Sequence, residues 1–337
     1  MEEDLGPRIN GMTERDPIDD TSMQRRDLFK VGTLAALVSA SNLSASQTAP
    51  SDGKVPEAKP GPALPTVSVG KYKVSRLIAG ANPIYGYSHF NYVFSAHMTD
   101  YHTTDRVLAF LKEMERAGLN TWQASWSERL ENDWLKYKEM GGKLQLFMLS
   151  RPGFNKEPEM LKRAIKLKPM GIAQHGGTTN ELWDKGQFDK SLDYLKRIRD
   201  TGAMVGLSCH NPREVEYAEE KGWDVDYYMT CVYERHRTKA ELEQLLGQAP
   251  IPVGEVYLPN DPPRMYKMIR QTRRTCLAFK ILAAGRLSEH PEWVEQAFRE
   301  TFAAIKPGDA VIVGMYDRES DQPAENAELV RRFGSHA

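Results

Sequence analysis

The sequence predicts a single (β/α)8 barrel of the TIM type, and three observations predict it. Eight short β-prone runs alternate with amphipathic segments from residue 67 onward, which is the pattern of βα units around a parallel sheet. Eight such units close a barrel. The competing open doubly wound sheet wants a Gly-x-Gly-x-x-Gly phosphate loop after its first strand, and Gly80 to Gly86 reads Gly-Ala-Asn-Pro-Ile-Tyr-Gly instead.

The strands are expected at 75–80, 120–124, 144–149, 171–174, 203–208, 226–231, 277–282 and 310–314. Between them, apolar residues three or four apart predict helices at 104–117, 127–140, 158–167, 188–201, 212–221, 239–246, 291–305 and 322–333. Asn211-Pro212 and His290-Pro291 place proline in a first helical turn, where its missing N–H costs little. Lys168-Pro169 and Lys306-Pro307 mark helix exits. Two connections are long, 82–103 and 233–275, and in a barrel such βα loops shape the active-site face.

Before the barrel lies an address. Arg25-Arg26 is followed by Phe29-Lys30, the apolar run Val31 to Val38 and a stretch of small residues to Ala49. That order is a signal peptide's, and the arginine pair resembles the twin-arginine motif, which is read by a translocase rather than serving as an anchor. The reading divides the chain into a signal peptide over 1–45, a flexible Pro/Gly/Ala/Lys linker over 46–66, and the barrel over 67–334. It implies an exported, periplasmic protein that meets the twin-arginine translocase and keeps no stable membrane association after cleavage. The apolar run is far shorter than the ~20 residues of a spanning helix.

Composition narrows the partners. Lys plus Arg number 45 and Asp plus Glu 46, a formal net charge of −1, so there is no basic field of the kind that attracts nucleic acid. A small-molecule substrate is expected. Three cysteines, Cys209, Cys231 and Cys276, are too few for a disulfide framework; free, buried thiols are expected.

Along the barrel, Val74 to Gly80, Ala117 to Asn120, Val205 to Pro212, Phe279 to Leu287 and Val311 to Met315 followed by Glu325-Asn326 occur in the order of corresponding segments in the aldo/keto reductases, and the chain resembles that family over nearly its whole mature length. The resemblance implies an oxidoreductase that uses NADP. It implies a dinucleotide groove at Ser208, Lys280, Gly285, Arg286, Gly314, Glu325 and Asn326. Of the family's Tyr, Lys, Asp and His, only the histidine has a clear match, His175. The aspartate position holds Gln123, the lysine falls at Ser150 or Arg151, and no tyrosine follows Gln123 at the expected distance, so the tetrad is incomplete. Gln123 carries no charge to hold an ammonium group, and Arg151 stays protonated rather than tuning a neighbour.

The strand ends bring Asn82, Gln123, Arg151, His175, Cys209, His210, Cys231 and Lys280 to one rim by register. Other chemistries stay open there. His175, His210 and Cys231 have side chains suited to a transition metal, with Glu234 or Glu255 as an oxygen ligand; equally they are polar or thiol residues of a barrel mouth. A metal-dependent or cofactor-free hydrolase, lyase or isomerase on a sugar or carboxylate is a second function, and a non-catalytic ligand-binding barrel a third. Arg151, Arg235 and Arg237 with His236 are candidates to grip a carboxylate or phosphate. The aromatic stretch Tyr85, Tyr87, His89, Phe90, Tyr92 and Phe94 is a candidate lid.

Overall fold

A computed structural model describes residues 61–250 and 255–335. The expected signal peptide and the linker as far as residue 60 lie outside the described residues. At 61–65 the chain already packs on the barrel: Gly61 donates its N–H to the Arg116 carbonyl at 2.8 Å, and Leu64 is buried.

An antiparallel hairpin comes first, β1 (Thr66–Val69) and β2 (Tyr72–Ser75). Eight parallel strands follow: β3 (Leu77–Gly80), β4 (Thr121–Ser125), β5 (Gln145–Leu149), β6 (Gly171–Gln174), β7 (Met204–Cys209), β8 (Tyr227–Cys231), β9 (Thr275–Phe279) and β10 (Ala310–Gly314). They close in the order β10-β3-β4-β5-β6-β7-β8-β9, with Val311 opposite Leu77 and Gly314 opposite Gly80 at the seam. Each predicted strand is present. Two boundaries move for a physical reason. Ser75 belongs to the hairpin and the buried Arg76 makes the step into β3. The predicted 277–282 strand stops at Phe279 because Lys280 turns to φ +62, outside the extended region.

Side chains alternate between two cores. Inside the barrel, Ile78, Phe147, Ala173, Tyr227, Met229, Leu277 and Ile312 pack with Val67, Val69 and Val74, so the hairpin plugs the end where the strands begin. Lys73 of that hairpin accepts hydrogen bonds from Asn120 and Gln145 at the entries to β4 and β5. The Tyr227 ring needs two glycines beside it: a Cβ on Gly206 would stand 2.4 Å, and one on Gly171 2.8 Å, from its ring carbons. Outside, residues such as Leu77, Trp122, Leu146, Ile172, Val205 and Val311 meet the helices. Burying each large apolar side chain contributes roughly 1.5–3 kcal/mol.

The helical layer is α1 (Tyr92–Tyr101), α2 (Thr104–Ala117), α3 (Glu128–Glu139), α4 (Pro158–Lys166), α5 (Gly176–Asp184), α6 (Ser191–Arg199), α7 (Pro212–Glu220), α8 (Lys239–Leu246), α9 (Asp261–Gln271), α10 (Pro291–Ala304) and α11 (Gln322–Phe333). Beyond the predicted set, α1, α5 and α9 lie in the βα connections after β3, β6 and β8. No helix among the described residues is long and apolar enough to cross a membrane.

Candidate functional site at the barrel mouth

Inward-facing positions at the strand ends floor the mouth. Gln123 on β4, Ser208 on β7, Cys231 on β8 and Gly314 on β10 point in by alternation, whereas Cys209 points out into the helix-facing core. A cavity of about 250 Å³ opens between the ends of β3, β9 and β10, lined by Asn82, His89, Gln123, Lys280, Gly285 and Gly314 among others. Helix α1 covers it. Asn91 caps this helix through the Phe94 N–H at 2.8 Å, and Phe94 meets Tyr316 edge-on at 6.0 Å. Of the aromatic stretch, Tyr87, His89 and Phe94 line the cavity, while Tyr92 is exposed.

His175 ends β6 and caps α5. Its Nδ1 accepts the Gly177 N–H at 2.9 Å, and its own N–H donates to the Ser150 hydroxyl at 3.0 Å. A nitrogen that accepts carries no proton, so the neutral ring is the Nε2–H tautomer. Burial, then the charges of Arg235, His236, His89 and Lys280, push its pKa down to about 4.

His210, just past β7, has the opposite tautomer. Its Nδ1 lies 2.5 Å from the Asn180 carbonyl oxygen, and Asn180 donates its amide to Glu214 Oε1 at 3.0 Å. Nδ1 therefore donates, and Nε2 is the acceptor. Glu214 arises locally as the third residue of the Asn211 capping box, and its Oε2 takes the N–H groups of His210 and Asn211 at 2.8 and 3.1 Å. Burial raises the Glu214 carboxyl to about 8 against those hydrogen bonds. Burial, with Arg235 and His236 next, holds His210 well below its ordinary value. The His210 and His236 rings stand 5.0 Å apart.

A third group comes from the long connections. Glu255 Oε1 meets His89 Nδ1 at 2.7 Å and Arg235 Nη2 at 2.9 Å, and Tyr257 donates its hydroxyl to Oε2 at 2.5 Å. Asn82 Nδ2 meets His89 Nε2 at 3.1 Å. Burial would raise Glu255, but the His89 hydrogen bond and the Lys280 and Arg235 charges hold it at about 2. His89 sits at φ +55 and Lys280 at φ +62; non-glycine residues in that region cost of order 1–3 kcal/mol, and such residues cluster at ligand sites. Burial pushes Lys280 down to about 8.

Gln123, Lys280, Gly285 and Gly314 line the cavity, and His175, His210 and Cys231 lie outside its wall, within range of the Lys280 and Arg235 charges. The fold does not gather all the predicted residues. Arg151 lies on an outer loop, paired with Glu157 at 3.2 Å and stacked near Trp126. Arg237 is engaged by Asp261 and Glu234. Arg286 donates to the carbonyl oxygens of His89, Ala283 and Glu255 and stacks 4.2 Å from the Tyr257 ring centre. On α11, Glu325 is exposed and accepts the Ser320 hydroxyl at 3.1 Å, and Asn326 is buried. Ser208 points into the barrel interior, where it is buried beneath the mouth and outside the cavity wall.

Among the described residues no three His, Cys, Asp or Glu side chains are arranged to hold a metal ion. His175 also lacks the Nδ1–H that a neutral imidazole needs when it ligates through Nε2. Burial raises the Cys231 thiol to about 11. All three cysteines are free and buried.

Asn180, Glu214 and Tyr257 did not emerge from the sequence. The Asn-Pro-x-Glu run of the capping box was the one local signal, pointing to Glu214.

No family model matches the chain, and no curated protein matches it. Solved structures similar to it include the glycerol dehydrogenase AKR11B4 from Gluconobacter oxydans, 12% identical, covering 81% of this chain and 91% of that one with a TM-score of 0.49. A truncated 3-deoxy-D-arabino-heptulosonate 7-phosphate synthase from Thermotoga maritima is 12% identical over 80% and 90% of the two chains, TM-score 0.46. An aldolase, QR15, is 11% identical over 67% and 88%, TM-score 0.39.

Proposed function

We propose that the chain is an exported, aldo/keto reductase-like barrel protein that acts as an oxidoreductase on a small carbonyl or sugar substrate, with NADP as its cofactor. The observation that carries the reading is the state of His175. Its Nδ1 accepts a backbone N–H, and its pKa stands at about 4, so through the neutral range the ring is an uncharged donor whose proton is fixed on Nε2. A neutral imidazole held this way polarises a carbonyl oxygen and stabilises the negative charge that develops there. Gln123 contributes a side-chain amide to the cavity wall.

NADP, when bound, supplies or removes the hydride. Supporting one end of such a groove, the cavity wall includes Lys280, Gly285 and Gly314. Arg286 is committed to three carbonyl oxygens, and Ser208, Glu325 and Asn326 lie away from the cavity wall. Export rests on Arg25-Arg26 and the apolar run behind them.

The test is a thermal-shift titration of the purified chain with NADP⁺ and NADPH, followed by NADPH oxidation assays with small aldehydes, ketones and sugars. Stabilisation by NADPH is expected, with His175→Ala lowering kcat/KM by about 100-fold, the order lost with one preorganised donor. If neither nicotinamide form stabilises the protein and no hydride is transferred, the reading fails.

A further inference from the structure

The mouth carries more positive charge than its own carboxylates answer. Arg235, Lys280 and Arg286 face a single carboxylate, Glu255, whose oxygens are already taken by His89, Arg235 and Tyr257. The other nearby carboxylates, Glu234 and Asp261, are matched by Arg237 and Arg264. Arg286 is spent on backbone carbonyls. That leaves two cations with unmet donors. Arg235 Nε is buried with no hydrogen-bond partner. The Lys280 ammonium, half-buried on the cavity wall, makes no hydrogen bond or ion pair among the described residues. A buried donor left unmade is costly, the more so when charged, so the orphaned Arg235 Nε, within charge range of an unpaired ammonium at the cavity wall, marks the place of an absent acceptor.

We propose that Arg235 and Lys280 form a carboxylate subsite, and that the substrate is a small 2-oxo acid or the corresponding 2-hydroxy acid. The carboxylate lies between the guanidinium and the ammonium group, leaving the adjacent oxygen for His175. The identity as an oxo acid rests on the oxidoreductase reading above; the carboxylate subsite rests on the two donors. Lys280 stays protonated at neutral pH, since burial lowers it only to about 8. This assigns Lys280 to the substrate rather than to the cofactor.

The experiment is isothermal titration calorimetry on the full chain without nicotinamide, using oxamate, its neutral counterpart oxamide, and sulfate. Saturable one-to-one oxamate binding is expected, with oxamide at least about tenfold weaker. Arg235→Gln and Lys280→Met are expected to weaken oxamate by about tenfold or more, and Arg235→Lys by less. Equal binding of oxamate and oxamide overturns the subsite, and that comparison needs no variant to fold. Sulfate binding without oxamate binding overturns the carboxylate assignment. Hydride transfer to a neutral aldehyde in a protein that ignores oxamate removes this inference and leaves the oxidoreductase reading standing; oxamate binding without nicotinamide affinity does the reverse.

Discussion

Asn180 joins His210 to Glu214: its carbonyl oxygen accepts from His210 Nδ1 at 2.5 Å while its amide donates to Glu214 Oε1 at 3.0 Å. The relay fixes one tautomer and keeps the Nε2 lone pair free for chemistry. Replacing Asn180 by Leu keeps the approximate volume and removes both bonds, leaving two buried polar groups without partners. Equilibrium unfolding in urea is expected to show a loss of about 2–4 kcal/mol. Asn180→Asp, which accepts from His210 but cannot donate to Glu214, is expected to restore the ring's orientation and to shift its titration upward in NMR. An unchanged midpoint in Asn180→Leu would remove the relay from the account.

Gly176 is the first residue of α5 and lies under the His210 ring. A Cβ there would stand 2.4 Å from His210 Cε1 and 2.9 Å from both ring nitrogens, and the ring cannot yield without losing Asn180. Gly176→Ala is therefore expected to cost about 1–3 kcal/mol through overpacking, and to disturb activity more than stability. Gly186, where no atom lies within 4 Å of such a Cβ but φ is +62, is the control: Gly186→Ala is expected to strain the backbone and leave the mouth's titrations alone. A Gly176→Ala protein with normal His210 chemical shifts would contradict the packing.

The scaffold was legible because each barrel strand is short and β-prone and each outer helix has one apolar face. What escaped was backbone behaviour set by tertiary context. The Gly176-Gly177-Thr178-Thr179-Asn180 start of α5 is a poor helix former by propensity, yet His175 caps it and it packs on β7. Pro262-Pro263 reads as a loop but sits in the first turn of α9, where proline is tolerated. Lys280 gives no sequence sign of its positive φ. At the site, strand register located Gln123, His175 and His210. Glu255 and Tyr257 reach the mouth from a connection of more than forty residues, for which spacing predicts no partner. Arg151, two residues past β5, lies on an outer loop paired with Glu157, a placement that strand register alone does not give.

Arg76 locks the barrel seam. Fully buried between β2 and β3, its guanidinium donates to the carbonyl oxygens of Asp309 at 3.0 Å, Gly334 at 2.7 Å and Lys306 at 3.2 Å, and stacks 4.8 Å from the Phe302 ring centre. One side chain thus ties the first barrel strand to the entry of the last and to the end of α11. Arg76→Met keeps the stem and leaves those carbonyls without the donor; a cost of about 3–5 kcal/mol is expected, read as a fall in Tm. Arg163→Met, which removes an exposed guanidinium bridging Glu128 and Glu131, is expected to leave Tm nearly unchanged.

The mouth also sets how stability depends on pH. Between about pH 4 and 6.5 the unfolded chain takes up a proton at His175 that the folded protein refuses, because burial and the Arg235 charge hold its folded pKa at about 4. Stability from this group is present above 6.5 and is lost as pH falls toward 4; His236 acts in the same direction. Glu214 works the other way. Its folded pKa of about 8 means that the folded protein keeps a proton the unfolded chain gives up above 4.5, so its contribution is full below 4.5 and is lost as pH rises through 8. The two histidines outweigh one carboxyl below 6.5, and Glu214 alone of these three acts above it, which places the stability maximum near pH 6.5. Guanidinium unfolding at pH 5, 6.5 and 8 checks the balance. Glu214→Gln is expected to flatten the decline between 6.5 and 8, and His175→Asn to reduce the rise between 5 and 6.5, by on the order of 2 kcal/mol. If both variants keep the slopes of the parent protein, neither group is linked to folding in the way its surroundings require.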